Sequence, residues 1–332
     1  MSRTLATKSK QEIFYLTKSL IPPLLPSFYK GQQGKILVFG GEYNGAVFFS
    51  ADSSAKTGAD LVHVVCTKDV AQVIKCYSPD LMVHPYLIDG ETADGHDEDE
   101  LIAKYVMPKV STLLDRIDVV AMGSGLGRSS MNLKTAAEVL KEIKRRNLPV
   151  VLDADSLFLL AQSPELIQGY QNAIVTPNLM EFKRLFDKLE PGTFEARKDP
   201  RDPSNAIRLS KLLGGVTVVQ KGAMDIIARE DEYIVNDSIG SNRRCGGQGD
   251  TLSGSMATFL AWGQKYKAKL WPHDDEIDEK WVPLLAAYGA SSVVRKASYL
   301  AFQNKKRSMQ ATDLHSELAN AFEELFPTET HL

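Results

Sequence analysis

The sequence predicts an α/β fold: a doubly wound, mainly parallel sheet flanked by helices on both faces, in a single domain. Three observations predict it. Short apolar runs alternate with amphipathic segments along most of the chain, which is the rhythm of βαβ units. The runs are near-continuous rather than alternating in polarity, as in strands covered on both faces. Turns bearing Gly or Asp follow the runs, at the edge where open α/β sheets bind ligands.

The elements follow in order. Residues 1–30 read as an N-terminal helical extension. KILVFG (Lys35–Gly40) is the first buried strand, and the Ala- and Ser-rich stretch Asn44–Gly58 is a tightly packed helix. LVHVVC (Leu61–Cys66) is a strand, Lys68–Cys76 a helix, MVHPYL (Met82–Leu87) a strand and Asp99–Leu114 a helix. IDVVAMG (Ile117–Gly123) is a strand and Met131–Arg146 a helix. VVLDAD (Val150–Asp155) and AIVTP (Ala173–Pro177) are strands, each with a helix after it, and VTVVQKG (Val216–Gly222) is another strand. MDIIAR and EYIV, within Met224–Val235, read as shorter antiparallel strands. Helices at Asp250–Trp262, Val282–Asn304 and Asp313–Leu325 close the chain. The polar, proline-bearing stretches Lys198–Ser204 and Tyr266–Pro283 read as surface loops. Neither divides units of different composition, so residues 1–332 are expected to form one domain.

A net charge of −3 provides no basic field for nucleic acid and no juxtamembrane cluster. The three cysteines, Cys66, Cys76 and Cys245, form no C-x-x-C, against a disulfide framework or structural zinc. No apolar run reaches the ~18 residues of a membrane span. The expected partners are therefore small molecules, neither nucleic acid nor membrane, and a homo-oligomer is compatible with this reading. The N-terminus lacks the apolar core of a secretory signal, so a cytoplasmic location is expected; its mildly basic character leaves a mitochondrial form open.

The segments after the strands carry the candidate chemistry. GSGLGR (Gly123–Arg128) has glycines that let backbone approach a ligand. It fails the dinucleotide fingerprint, because Arg128 stands where the third glycine belongs and no strand-end acid lies about 20 residues on. GQQGKI (Gly31–Ile36) fails as a Walker A loop, with the wrong length and no Ser or Thr after Lys35. In TPNLMEFKRL (Thr176–Leu185), Asn178 and Glu181 are spaced as a capping box or point into the strand-end crevice. In VVQKGAMD (Val218–Asp225), Lys221 and Gly222 end a buried strand, where the lysine is either solvated or in contact with a nucleotide. RRCGGQGDTLSG (Arg243–Gly254) places Gly246, Gly247 and Gly249 before a helix, the arrangement that cradles phosphate. Asp250 in this run is either an N-cap shared with Ser253 or a carboxylate that takes a proton from an attacking hydroxyl. Residue types alone leave those two roles evenly matched.

G-x-G-D opening a late helix, after a Lys-Gly strand end, resembles the ribokinase-like superfamily of small-molecule kinases. The ordered set FGGEYNGA (Phe39–Ala46), KTGADLVHVVC (Lys56–Cys66), GSGLGR, VVLDAD, TPNLMEFKRL, VVQKGAMDII and SNRRCGGQGDTLSGS is more specific. It resembles the eukaryotic type of ATP-dependent NAD(P)H-hydrate dehydratases. Four residues in three loops depart from that family's pattern: Ser124 stands where proline is usual, Glu42 and Asn44 where Asp and Thr are common, and Ser156 where glycine is common.

The resemblance implies a ribokinase-like fold and ATP-dependent dehydration of the (S)-hydrates of NADH and NADPH. ATP is the implied co-substrate, with Mg²⁺ held by phosphate oxygens and water, and no protein ligand for the metal is assigned. The implied catalytic group is Asp250 as base, with the N–H groups of Gly247, Gln248 and Gly249 as anion hole. The ATP site comprises Lys221, Gly222, Ala223, Met224 and Asp225, then Gly240, Ser241, Asn242, Arg243, Arg244, Cys245 and Gly246 through to Gly249. The hydrate site comprises Gly125, Gly127, Asn178, Leu179, Met180, Glu181, Phe182, Lys183 and Arg184, with Asp250. The rival readings are a kinase for a vitamin precursor or sugar, and a non-catalytic nucleotide sensor. A kinase closing over a small alcohol often uses a β-rich lid, and no such insert is visible. A sensor could dispense with Asp250.

Overall fold

A computed structural model describes residues 4–274 and 277–328. Residues 1–3 of the expected extension, and Asp275 and Glu276 of the expected loop, lie outside the described residues. Nine strands form one sheet: β1 (Lys35–Phe39), β2 (Leu61–Thr67), β3 (Met82–Leu87), β4 (Val119–Met122), β5 (Val150–Leu152), β6 (Ala173–Val175), β7 (Thr217–Gln220), β8 (Asp225–Arg229) and β9 (Glu232–Asn236). Their order is β3-β2-β1-β4-β5-β6-β7-β8-β9. All pairings from β3 to β7 are parallel, and β8 and β9 add an antiparallel hairpin. The chain steps outward from β1 to β3, then returns to place β4 beside β1. That reversal opens a crevice past the carboxyl ends of β1 and β4, where such sheets hold their ligands.

The near-continuous apolar runs have the expected cause. Every residue of β4, β5, β6 and β7 is buried, because helices cover both faces. Ile36 and Val38 enter the core on one face, and Leu37 and Phe39 the core on the other. On the first face, helix Gln248–Lys267 lies against helix Asn44–Thr57. Their backbones nearly touch at Gly254, where a Cβ would fall 1.9 Å from the Ser50 carbonyl oxygen. Ser54 donates to the Gly254 carbonyl at 3.0 Å and Thr258 to the Ser54 carbonyl at 2.9 Å. The small residues that mark both segments therefore set how closely the glycine-led helix approaches the sheet.

Several boundaries differ from the sequence reading. The extension holds one ten-residue helix, Lys10–Ser19, started by a Ser9–Glu12 capping box, rather than helix throughout. The helix expected from Asp99 contains a π turn at Ile102–Val106 just before Pro108. Proline has no N–H and crowds the carbonyl four residues back, which a wider turn relieves. The last expected helix is two, Ala311–Ser316 and Leu318–Leu325. A helix at Ser204–Leu212 leads into β7. Among the described residues, no helix is long and apolar enough to cross a membrane.

Candidate active site

The glycine turn is built first. Gly247 is the N-cap of helix Gln248–Lys267, with φ +95° in the left-handed region. A Cβ there would lie 2.6 Å from Ala311 Cβ and 2.9 Å from the Phe49 ring, so conformation and space both require glycine. Gln248 donates its side-chain amide to the Arg243 carbonyl at 3.0 Å, closing the loop below the turn. The first N–H groups of a helix have no intrahelical acceptor and carry the positive end of its dipole. A long helix opening on Gly246-Gly247-Gln248-Gly249 thus presents an anion site.

Asp250 is the third residue of that helix, and Gly247 holds the cap. The capping role is thereby corrected: a tight αL turn, and no side chain, starts the helix. Ser253, which could have shared the cap, instead donates to Asp153 Oδ2 at 2.7 Å and to the Gly249 carbonyl at 3.0 Å. The Asp250 carboxyl is pushed up to about 6, by burial and next by the neighbouring Asp153 charge; a Ser124 hydrogen bond and Lys221 oppose the shift. Ser124 is one of the departures from the family pattern.

Asp153 and Lys221 form the floor. Lys221 Nζ meets Asp153 Oδ1 at 2.7 Å and Glu181 Oε2 at 4.0 Å. Burial works against the ammonium, but Asp153 and Glu181 hold its pKa above the ordinary range. Burial likewise raises the Glu181 carboxyl. A Cβ on Gly249 would come within 3.5 Å of both Asp153 Oδ2 and Lys221 Nζ, so the turn lies directly over this pair. Ala154, beside Asp153, has φ +50° and ψ −118°, a costly conformation for a non-glycine residue that tends to mark functional sites. Three carboxyl groups, a lysine and the start of a helix thus converge past the ends of β5, β6 and β7.

On the expected ATP side, Lys221 N donates to the Pro177 carbonyl at 3.0 Å, tying β7 to the end of β6. Asp225 turns inward. It is 5% exposed, accepts from Gly222 N at 3.0 Å and Ser291 Oγ at 2.7 Å, and is gripped by Arg295 through Nε at 2.9 Å and Nη2 at 2.8 Å. Its side chain shapes the Gly222 turn. Arg295 also donates to the carbonyls of Gly222, Ala223 and Ser238, so one guanidinium from helix Val282–Lys305 joins both halves of the loop. Ser241 shares a 2.8 Å hydrogen bond with Ser298. Asn242 and Arg244 are exposed. Cys245 packs against the core, and burial raises its thiol. Ile239, next to Gly240, is an apolar side chain left 76% exposed.

On the expected hydrate side, Asn178 and Glu181 do form the capping box: Asn178 Oδ1 accepts from Met180 N and Glu181 N, and Glu181 Oε2 accepts from Asn178 N. Glu181 also faces Lys221. Phe182 is fully buried against Phe186 and Phe194; its side chain belongs to the core and not to a ligand surface. Lys183 pairs along its helix with Asp187. Arg184 lies 5.9 Å from the Phe158 ring and Arg128 lies 4.5 Å from it, with Arg128 also paired to Asp155 at 2.7 Å. Leu179, Met180 and Tyr43 stay exposed around the mouth. The glycines of the Gly123–Arg128 loop serve packing between loops. A Cβ on Gly125 would meet the Tyr43 carbonyl oxygen at 2.4 Å, and one on Gly127 would meet Glu42 Oε2 at 2.4 Å.

Sequence reasoning passed over Asp153, Arg295 and Ser253 as site residues. Asp153 had a visible signal, as the acid ending VVLDAD. Arg295 interrupts the Ala- and Ser-rich run AAYGASSVV, an oddity that marks a buried task without naming it. Among the described residues, no cluster of three His, Cys, Asp or Glu is arranged to hold a metal ion.

The model of the NAD(P)H-hydrate dehydratase family matches residues 36–320. The ATP-dependent (S)-NAD(P)H-hydrate dehydratase of Candida albicans is 41% identical over 97% of this chain and 97% of its own. A ribokinase-like superfamily protein from Enterococcus faecalis superposes with TM-score 0.70 at 20% identity, covering 95% of each chain. The ADP/ATP-dependent NAD(P)H-hydrate dehydratase of Bacillus subtilis, crystallised with ATP and Mg²⁺, superposes with TM-score 0.63 at 18% identity, over 94% of this chain and 97% of that one.

Proposed function

The chain belongs to the NAD(P)H-hydrate dehydratase family, and from that premise we propose how its strand-end crevice performs ATP-dependent dehydration of the (S)-hydrates of NADH and NADPH. The observation that carries the mechanism is Asp250. It is one carboxyl, raised to about 6, fixed in the first turn of a helix whose open end binds anions.

Hydroxide is a poor leaving group from the hydrated ring, and phosphate is a good one. Asp250 accepts the proton of the ring hydroxyl as its oxygen attacks the γ-phosphorus of ATP, and ADP departs. The C–O bond to phosphate then breaks and the ring loses a proton, so that hydrate plus ATP gives NAD(P)H, ADP and phosphate. A base with a pKa near 6 is mostly ionised at neutral pH and still basic enough to take the proton. The N–H groups of Gly247, Gln248 and Gly249 stabilise charge on the transferring phosphoryl group. Lys221, neutralised in part by Asp153, balances that charge from below. Arg295 holds the Gly222 turn in place for the nucleotide. Exposed Ile239 gives the adenosine an apolar surface to cover, and Tyr43, Leu179 and Met180 do the same for a large acceptor.

Mg²⁺ fits the donor chemistry, since Glu181 supplies hard carboxylate oxygen beside the anion turn. When bound with ATP it neutralises phosphate charge. Arg128 and Arg184, stacked on Phe158, are suited to the pyrophosphate of the dinucleotide.

The test uses purified protein with ATP, Mg²⁺ and hydrated NADH. Absorbance of reduced nicotinamide should recover, and only with ATP. Accumulation of a stable phosphorylated product in its place would support a kinase instead, and no ATP-dependent change would remove the reading.

A further inference from the structure

Behind the glycine turn lies a hydrogen-bonded chain that the mechanism has not used. Thr251 Oγ1 lies 2.7 Å from the Gly247 carbonyl oxygen and 2.8 Å from His315 Nε2. His315 Nδ1 lies 2.6 Å from Asp52 Oδ2, and Lys56 Nζ meets the same oxygen at 3.0 Å. The histidine is 4% exposed and the threonine fully buried. Phe49 packs on the imidazole at 5.0 Å between ring centroids, and the same ring lies against Gly247. His315 comes from the short helix Ala311–Ser316, whose Ala311 forms the wall under Gly247.

Acid, imidazole and hydroxyl in series have the connectivity of a hydrolytic triad. This one is not a nucleophile: the Thr251 hydroxyl is sealed from solvent and from the crevice. Counting protons shows what it does. A carboxylate only accepts, so Nδ1 carries a hydrogen for Asp52. A carbonyl only accepts, so Thr251 donates its hydroxyl to Gly247. Thr251 Oγ1 thereby links His315 Nε2 to the Gly247 carbonyl. The carbonyl at the end of this chain belongs to the residue in the αL conformation, whose orientation sets the direction of the next N–H groups.

We propose that His315 is a positioning residue for phosphoryl transfer: through Thr251 it holds the Gly247 peptide so that the Gln248 and Gly249 N–H groups face the transferring phosphoryl group. The inference rests on the phosphoryl-transfer reading above. A misdirected anion hole weakens the transition state more than the bound ground state.

The test is a set of substitutions in the full chain. His315→Leu should lower kcat about tenfold, with KM for hydrated NADH within about twofold, and should weaken binding of ADP–aluminium fluoride, a mimic of the transferring phosphoryl group, about tenfold while leaving ADP binding unchanged. His315→Gln, whose amide nitrogen stands in for Nε2, should restore most of kcat; His315→Asn, which can replace only Nδ1, should not. Equal losses in the Gln and Asn variants, or a folded Leu variant with wild-type kcat, would overturn the proposal. If His315→Leu does not fold, Thr251→Val carries the test: it should show the same fall and Thr251→Ser should reverse it, while wild-type kcat in Thr251→Val would be fatal. The aluminium fluoride readout does not depend on which hydroxyl accepts the phosphoryl group. Failure of the dehydratase reading would therefore appear in the wild-type assay, separately from failure of this one.

Discussion

Where the strands begin, Asp118 accepts from Lys35 N at 2.9 Å and pairs with Lys265 at 2.8 Å, while Asp60 accepts from Gly31 N at 2.7 Å and Gln33 N at 2.9 Å. Where the strands end, Asp250 sits buried beside a second carboxylate, and its proton affinity rises as a result. The residue type is the same and both edges border the same sheet. At the first edge each carboxylate meets its own donors and pins a turn. At the second, one lysine is shared among Asp153, Glu181 and Asp250, and the carboxylate left underpaired is the one that can move a proton. The contrast teaches that chemistry here comes from withholding partners, at a cost in stability that the first edge does not bear.

The sharpest way to break this comparison is Asp250→Asn. Turnover should fall by ~10² or more, the scale of a lost general base, and near-normal turnover would place Asp250 with the pinning aspartates. The same variant should be more stable than wild type at neutral pH. The folded pKa, about 6, lies above the ordinary 3.8, so ionisation opposes folding. The penalty is absent below about pH 4, grows as pH rises towards 6 and is complete above it. Neutralising the group should therefore add on the order of 1–3 kcal/mol at pH 7.5 and nothing at pH 4, as read by urea midpoints at the two pH values. An equal gain at both would deny the raised pKa.

The wild-type pH profile gives the next effect. kcat/KM should fall about tenfold per unit as pH drops below about 6, and a flat profile down to pH 5 would remove Asp250 as base. A smaller effect tests the other edge. Asp118→Asn should destabilise by roughly 1–2 kcal/mol, the loss of charge-assisted hydrogen bonds, and leave kcat within about twofold. A large fall in turnover with the fold intact would mean that the two edges are not functionally separate. The smallest effect belongs to Ile239→Ser, which should raise KM for ATP about threefold through lost apolar cover with kcat unchanged; no change would take the adenosine off that surface.

Much of this site was legible in the chain itself. The Asn178–Glu181 capping box, the β8–β9 hairpin and the glycine turn each depend on residues within a few positions of one another. Capping geometry and turn chemistry act over that range. What was not legible there depends on residues far apart in the chain. The Asp225 side chain is gripped by Arg295, from a helix seventy positions later. The Phe182 side chain, within the expected hydrate-lining segment, is closed over by the core. Gly125 and Gly127 pack closely against the residue 42–43 loop.

The sequence by itself determined the strands, their mainly parallel pairing and the anion-binding start of a late helix, because polarity, period and glycine placement are properties of short stretches. Through its ordered motifs it also determined the family and hence the reaction. Only the tertiary structure decided that Gly247 holds the cap and frees Asp250, that Asp153 divides itself between Lys221 and Ser253, and that His315 braces the turn from behind. Those decisions rest on burial and on hydrogen bonds between residues far apart in the chain. Their strength depends on who else is within a few ångströms, which no local stretch records.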